Sequence, residues 1–149
     1  MKRICLFIVI LAFLFIPISG MAAGTVTQTY TKLTDDVRCL SYSWTGDASD
    51  GSVPATASTV AIEGYVVLVV TNPGDTAPTT LYDITLTDAD SIDIMGGELA
   101  DRSATLTEQA VPKIDAVYGS RWVSGILTLN ITNQDVHSAT GTVVVYIQR

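Results

Sequence analysis

The sequence has very few of the residue types that usually carry catalysis or bind transition metals. Its 149 residues include one histidine, His137, and two cysteines, Cys5 and Cys39. A single histidine excludes zinc sites built from several histidines, and any Ser-His-Asp triad would have to use His137. The glycine-rich motifs that bind phosphates and dinucleotides are also missing. We therefore expect no enzymatic activity and no cofactor, and a hydrolase that uses His137 or an aspartate pair is the weakest alternative.

Basic and aromatic side chains are scarce as well. Lysine and arginine together number 8 against 15 acidic residues, which gives a formal net charge of −7. A surface of this charge repels the phosphate backbone, so we exclude nucleic acid as a partner. Aromatic residues make up only 7% of the chain, and none of the glutamates lies in the aromatic-rich setting that sugar-cleaving clefts use.

The longest apolar run lies at the N-terminus. Two basic residues precede an uncharged stretch at 4–18, and small residues that include Ala22 follow it. This order is typical of a secretory signal peptide, and the stretch is shorter than the roughly 20 residues that span a bilayer. We predict a removable signal segment at 1–22 and a secreted or periplasmic protein. The alternatives are an uncleaved anchor, through which alone the chain would meet a membrane, and a true start at Met21.

The rest of the chain, residues 23–149, is rich in side chains that branch at Cβ. Threonine, valine and isoleucine account for 43 of these residues, and such side chains pack well in sheets but lose rotamer freedom in helices. Short apolar and alternating runs separated by turn residues indicate strands. These features predict one all-β domain, an antiparallel β-sandwich or a jelly-roll-like fold. The predicted strands lie at 25–34, 37–45, 64–71, 81–87, 125–132 and 142–148.

Alternation within the strands also predicts which side chains face the core. The inward set comprises Leu40, Tyr42, Trp44, Tyr82, Ile84, Leu86, Leu127, Leu129 and Ile131. The run at 65–70 is apolar on both faces, so we expect a central strand that is covered on both sides. We expect one hairpin between 64–71 and 81–87, and a second between 125–132 and 142–148.

The segment at 98–118 has the weakest pattern. Thr105 and Glu108 have the spacing of a capping box, which would open one short helix. Pro112 would end that helix after about two turns.

An acidic cluster follows the strand at 81–87. Asp88, Asp90 and Asp93 are weak candidates for a Ca²⁺ site, because hard cations prefer carboxylate oxygens. The cluster lacks the spacing of an EF-hand loop, with Ile92 at the fifth position where a ligand belongs. We therefore favour a solvated turn in which the aspartates bond nearby amides, and we expect no metal. The segment at 47–51 has the same ambiguity, with a turn favoured at Asp50-Gly51 and calcium as the weaker alternative.

An arginine and a tryptophan stand side by side at Arg121 and Trp122. Such a pair is typical of protein interfaces and of sugar sites when it is exposed. The favoured interpretation is that Trp122 begins a strand and caps the core while Arg121 faces water. An interface or an extracellular glycan site is the alternative.

The C-terminal strand at 142–148 is apolar on both faces and has no charge of its own. A strand that ends a chain often lies at a sheet edge, and an unprotected apolar edge pairs readily with another chain. We therefore predict self-association, with Val144 and Tyr146 in the contact and Val143, Val145 and Ile147 in the core. If the protein is a monomer, this strand must be central in its own sheet.

Cys39 is the only cysteine that remains once 1–22 is removed. It lies in a strand-like run, where a lone cysteine is most simply a small buried hydrophobe. An intermolecular disulfide is the alternative that a secreted location would permit.

Four stretches of the chain resemble small, uncharacterised proteins encoded by tailed bacteriophages and prophages. The stretches begin at Trp44-Thr45-Gly46, Gly64-Tyr65-Val66, Tyr82-Asp83-Ile84 and Gly141-Thr142-Val143. The relatives tend to be encoded among virion structural genes, so the resemblance implies a virion-associated β protein and no active site.

These expectations combine into one functional hypothesis. We expect a non-enzymatic structural or assembly domain, secreted or virion-associated, whose partners are other copies of itself or another structural protein. The alternative is an extracellular adhesion module that binds a glycan or Ca²⁺.

Overall fold

The computed structural model describes residues 22–149 and shows an antiparallel β-sandwich. The predicted all-β fold is confirmed. No helix occurs within the described range, and therefore none there is long and apolar enough to cross a membrane. The predicted signal segment lies outside the described residues except for Ala22. The eleven strands found in this range are β1 Thr25–Lys32, β2 Val37–Thr45, β3 Thr56–Ala57, β4 Ile62–Pro73, β5 Asp83–Thr87, β6 Glu108–Ala110, β7 Lys113–Ile114, β8 Val117–Tyr118, β9 Arg121–Gly125, β10 Thr128–Thr132 and β11 Thr140–Gln148.

Six strands form the larger sheet, in the order β1-β2-β11-β4, and every pairing in it is antiparallel. The far side of β4 has two partners, because β9 pairs with its first half and β6 with its second half. A smaller sheet contains β3, β10 and β5 in that order. The strands β7 and β8 form a separate two-stranded hairpin.

The core lies between the two sheets. The larger sheet contributes alternate residues of β2 and β11, including Tyr42, Trp44 and Val145, and the smaller sheet contributes Ile84 and Leu129. Every predicted inward residue of β2, β5, β10 and β11 is buried, so the predicted faces are confirmed. The loop after β5 adds three more fully buried side chains, which are Ile94, Met95 and Leu99.

Both predicted hairpins are wrong. The strand β4 pairs with β11, β6 and β9 rather than with β5, and β5 pairs with β10 in the opposite sheet. Likewise β10 and β11, which follow each other in the chain, belong to different sheets. The reason is that alternation fixes which face of a strand is buried, whereas its partner is set by contacts with distant parts of the chain.

The predicted edge position of the C-terminal strand is also wrong. The strand β11 lies between β2 and β4 and pairs with both along most of its length. Its backbone groups are therefore engaged on both sides, and it offers no edge to another chain. This central position accounts for the absence of charge in the strand.

The apolar run of β4 is covered on one face only. Val66 and Val69 are fully buried, whereas Leu68 and Val70 are half-buried and Tyr65 is exposed on the opposite face. The run appears apolar on both faces partly because it contains a β-bulge. Leu68 pairs with Tyr146 and Val66 with Ile147, which leaves Val67 as an extra residue.

The segment that could have begun a helix is a loop. The side-chain oxygen of Ser103 accepts hydrogen bonds from the amides of Thr105 and Leu106, and the Glu108 carboxylate accepts one from the Ser103 amide at 2.6 Å. Glu108 thus caps one backbone amide, as a capping-box glutamate does, but the chain continues into the strand β6 instead of a helical turn.

Candidate functional site

One face of the larger sheet, which we call the outer face, points away from the core. Two rows of short polar side chains cross this face because adjacent strands are in register. One row runs Thr27–Ser43–Thr142–Asn72, and the other runs Thr25–Thr45–Thr140 and ends beside Gly74. None of these side chains is charged.

A pocket of about 410 Å³ lies over these two rows. We call it the polar pocket, and its lining residues are Thr25, Thr27, Ser43, Trp44, Thr45, Asn72, Gly74, Asp75, Thr140, Gly141 and Thr142. Sequence reasoning missed this site. The alternating threonines of β1 and serines of β2 can be recognised in the sequence. Their position beside Thr142 of β11 and Asn72 of β4 cannot, because it depends on the pairing register of strands that are distant in sequence.

Two glycines among the lining residues leave no room for a side chain, Gly74 on the pocket side of the sheet and Gly141 on the core side. A Cβ on Gly74 would lie 2.2 Å from the Oγ1 atom of Thr140, and a Cβ on Gly141 would lie 2.6 Å from the Trp44 ring. Trp44 is buried, and its indole N–H has no hydrogen-bond partner among residues 22–149. An unsatisfied donor is uncommon in a buried position. This one belongs to the core, on the opposite side of the sheet from the two polar rows, and is out of reach of a ligand in the polar pocket.

The two predicted interface residues of β9 point in opposite directions. Trp122 is 54% exposed on the outer face and contacts Tyr65 edge-on, with ring centroids 5.1 Å apart. Arg121 is paired with the buried Val66, and its guanidinium donates a hydrogen bond to the Asp93 carbonyl at 3.2 Å. The favoured expectation that Trp122 caps the core is therefore wrong, and Arg121 is half-buried rather than free in water. The cause is the register with β4, which puts Trp122 opposite the outward Tyr65. The predicted strand start is confirmed to within one residue, since β9 begins at Arg121.

Val144 and Tyr146 also lie on the outer face, and both are half-buried. Their neighbours across the strands are Val70 and Leu68 of β4 and Ser41 and Cys39 of β2. The structure thus brings three of the four predicted interface residues, Val144, Tyr146 and Trp122, onto one face. Burial raises the pKa of the Cys39 thiol, which makes this cysteine a poorer nucleophile near neutral pH.

The strand β1 is an edge of the larger sheet. Within the described residues it pairs only with β2, so the backbone groups on its other side have no strand partner. Its first seven residues carry no charge, and Lys32 ends it. Gln28 is fixed from the inner face, because its side chain donates to the Ala57 carbonyl at 2.8 Å and accepts from the Thr59 amide at 2.8 Å.

The acidic cluster after β5 uses its carboxylates to hold the local backbone. The Oδ1 atom of Asp88 accepts hydrogen bonds from the amides of Asp90 and Ile92, at 3.0 Å and 2.9 Å. Asp93 accepts from Met95 at 3.1 Å and from Gly97 at 2.7 Å. In the part of the chain that the structure describes, no group of three or more His, Cys, Asp or Glu residues is arranged to hold a metal ion.

His137 lies in an exposed loop between β10 and β11. That loop is fixed by the buried Gln134, whose amide nitrogen donates to the carbonyls of Gly51 and Val136 at 2.6 Å and 2.9 Å. Asp50 lies in the facing loop, and the Ser52 side chain and amide lower the pKa of its carboxyl, with a smaller contribution from His137. No nucleophile is held against His137 by a hydrogen bond in the described chain.

A second polar cluster connects the β7–β8 hairpin to the loop after β5. The Lys113 ammonium donates to Glu98 at 2.9 Å, and the Tyr118 hydroxyl donates to the same carboxylate at 3.1 Å. The lysine lowers the pKa of the Glu98 carboxyl, and the carboxylate raises the pKa of Lys113. Each of the three groups has a hydrogen-bond partner within the cluster, and these bonds attach the β7–β8 hairpin to the loop after β5.

No protein-family model matches the chain, and no curated protein is significantly similar to it in sequence. Among solved structures, the chain is similar to a cupin domain from Bordetella pertussis Tohama I. The two share 14% sequence identity with a TM-score of 0.33, and the likeness covers 87% of this chain and 100% of that domain. A TM-score this low supports no conclusion about ligand or activity.

Proposed function

We propose that this protein is a non-enzymatic structural domain that assembles with other copies of itself through the free edge of β1. The observation that supports this proposal is the edge itself: on the side of Thr25–Lys32 away from β2, the backbone groups have no strand partner among residues 22–149. Natural monomers usually protect such edges with charges, prolines or bulges. The first seven residues of β1 have none of these.

The sequence of β1 suits antiparallel pairing with an identical strand. In a two-fold arrangement centred on Gln28, each Val26 would lie opposite a Tyr30 on the inner face, and each Thr27 would lie opposite a Thr29 on the outer face. Apolar residues would thus face apolar ones and hydroxyls would face hydroxyls, which favours cross-strand pairing. In this arrangement, no two side chains of the same charge would lie opposite each other.

The resulting dimer would join two six-stranded sheets into one continuous sheet. This is an isologous contact, in which the same strand contributes on both sides. The location implied by the phage resemblance and by the predicted signal segment belongs to the same proposal: the assembly would work in a virion or outside the cell.

The experiment is a charge test on the outer face of β1, read by light scattering after size exclusion. The double variant Thr27→Lys/Thr29→Lys would put two pairs of like charges across the interface, and we expect it to be monomeric. The variant Thr27→Lys/Thr29→Glu would put opposite charges across the same contacts, and we expect it to retain the wild-type mass of twice the chain. Both side chains are exposed, so the fold of the monomer should tolerate either change.

A matched control carries the same charges one strand away. Ser41→Lys/Ser43→Lys adds lysines to β2 in the same rows of the outer face, because Ser41 and Ser43 pair with Thr29 and Thr27. We expect this control to remain dimeric. A wild-type protein that is monomeric at high micromolar concentration, or a control that dissociates as fully as the β1 variant, would contradict pairing through β1.

A further inference from the structure

The polar pocket has a composition that selects among classes of ligand. Among residues 22–149, Asp75 is the only charged residue that lines it, so this part of the chain supplies no lysine or arginine to bind a phosphate, sulfate or carboxylate there. A lone exposed carboxylate is a poor metal site, because hard cations take six or more oxygen ligands, usually from several carboxylates. Trp44 has the one large apolar side chain among the lining residues, and it is buried in the core, which disfavours lipids.

The remaining class is a neutral compound with many hydroxyl groups. A Ser or Thr hydroxyl has one donor and two acceptor positions, which is also what a sugar hydroxyl has, so the two can bond in either direction. Among residues 22–149, no protein group hydrogen-bonds the hydroxyls of Ser43, Thr45 or Thr142, whereas Asn72 accepts from Thr107 through its carbonyl oxygen alone. Three hydroxyls on the neighbouring strands β2 and β11 and one amide nitrogen on β4 are therefore available to a ligand.

We propose that the polar pocket binds a short stretch of neutral glycan. The two rows cross four strands, and three spacings of about 4.8 Å give a length of about 14 Å, enough for a few sugar units. The pocket volume of about 410 Å³ lies in the range of small-molecule sites.

This site adjoins the edge used in the proposed assembly, because Thr25 and Thr27 of β1 also line the polar pocket. The two proposals are tested at different residues, since Ser43 and Thr142 lie on β2 and β11, away from the β1 edge. The polar pocket is distinct from the exposed aromatic pair, because Tyr65 and Trp122 lie near the opposite ends of β4 and β11 from the two rows. A glycan that used the aromatic pair instead would therefore be distinguishable.

The experiment titrates the folded protein with three neutral trisaccharides, maltotriose, cellotriose and N,N′,N″-triacetylchitotriose, at millimolar concentration. Amide resonances are followed by NMR, and Trp44 emission is followed in a Trp122→Phe background, where Trp44 is the only tryptophan. We expect at least one trisaccharide to shift resonances of Ser43, Gly74 and Gly141. Trigalacturonic acid, which is anionic, should not bind.

The variants remove hydroxyls without changing the shape of the side chain. Ser43→Ala/Thr142→Val should weaken binding by about tenfold or more, since each lost hydrogen bond is worth about one kcal/mol. The matched control, Thr29→Val/Ser41→Ala, removes hydroxyls from the next row of β1 and β2, outside the pocket, and should leave affinity unchanged.

Three results would overturn the proposal. The first is no shift with any of the three neutral sugars, and the second is binding of trigalacturonic acid as strong as theirs. The third is binding that survives Ser43→Ala/Thr142→Val and shifts Tyr65 and Trp122 instead. None of these results would alter the mass of the β1 dimer, so the two proposals fail separately.

Discussion

At the residue scale, the contact between Gly141 and Trp44 packs β11 closely against β2 on the core face of the larger sheet. The two residues pair across β11 and β2, and the indole occupies the space where a side chain at 141 would lie. Tyr82 packs against the same indole, with ring centroids 5.9 Å apart. A bulky core residue on β2 therefore requires a residue without a side chain on β11.

The first prediction follows from this contact. A Cβ on Gly141 would approach the Trp44 ring to 2.6 Å, so Gly141→Ala must shift the indole and should lower the free energy of unfolding by about 1–3 kcal/mol. Urea denaturation measures the loss. Gly119→Ala is the control, because nothing lies within 4 Å of a Cβ there. Equal stability of the two variants would show that the indole is not tightly packed.

The second prediction concerns the two buried tyrosines. Burial raises the pKa of Tyr42 and that of Tyr82 to about 12 each, above the ordinary value of about 10. The unfolded chain then loses these protons before the folded protein does, so the stabilisation is complete below pH about 10 and is lost as the pH rises to about 12. We expect a fall of about 2 kcal/mol per tyrosine over that interval.

Urea denaturation between these pH values checks the second prediction. The double variant Tyr42→Phe/Tyr82→Phe should show a smaller fall with pH, although it loses the bond from the Tyr42 hydroxyl to the Leu127 carbonyl at every pH. The slope with pH, and not the absolute stability, is therefore the quantity to compare. An unchanged slope in the double variant would contradict the role of these tyrosines.

At the element scale, the bulge in β4 sets the register of the larger sheet. Val67 is the extra residue, and the residues before it, Ile62 and Val66, reach the core only because of it. A one-residue change of register moves side chains to the opposite face of a strand. The bulge therefore places Ile62 and Val66, which lie in the half of β4 that pairs with β9, on the core face of the sheet.

The third prediction is that deletion of Val67 abolishes the stable fold. Either Ile62 and Val66 turn outward, or the pairing with β9 and β11 breaks, and each buried side chain lost costs about 2–5 kcal/mol. Circular dichroism and urea denaturation measure the outcome. Val67→Ala keeps the chain length and should lose no more than about 2 kcal/mol, because Val67 is half-buried. A stable deletion variant would mean that the bulge is dispensable.

The strands themselves were predictable to different degrees. The span 37–45 coincides with β2, and the inward side chains of β5 and β10 are those that alternation predicts. Partners were not predictable, because β4 and β5 follow each other in the chain yet lie in different sheets. Local alternation reports burial of a face, whereas partner choice depends on how the whole core closes.

The difference between the burial of a face and the choice of a strand partner also explains which candidate sites could be predicted from the sequence. Exposed Trp122 was a visible candidate, but its direction depended on the register with Tyr65. The polar pocket could not be predicted, since its rows combine four strands that are separated by up to 115 residues in sequence, as the pairing of Thr25 with Thr45 and of Thr45 with Thr140 shows.

At the scale of the whole molecule, the acidic surface raises the question of calcium. The carboxylates of Asp88 and Asp93 are engaged by backbone amides, which stabilise the turn without an ion. The fourth prediction is that saturating Ca²⁺ leaves the melting temperature nearly unchanged. A ligand at 100 times its dissociation constant would add about 2.7 kcal/mol, a shift of several degrees in a domain of this size. Such a shift, abolished by Asp90→Asn, would contradict this account.

The central claim is that β1 of one copy pairs with β1 of another, and amide hydrogen exchange tests it most directly. About half of the β1 amides point away from β2, toward the free edge, and lack a strand partner in a single copy. These amides should exchange rapidly in dilute protein and become protected as the concentration rises, while the amides of β11, bonded on both sides, should not change. Exchange at the β1 edge that is rapid and independent of protein concentration would contradict the claim.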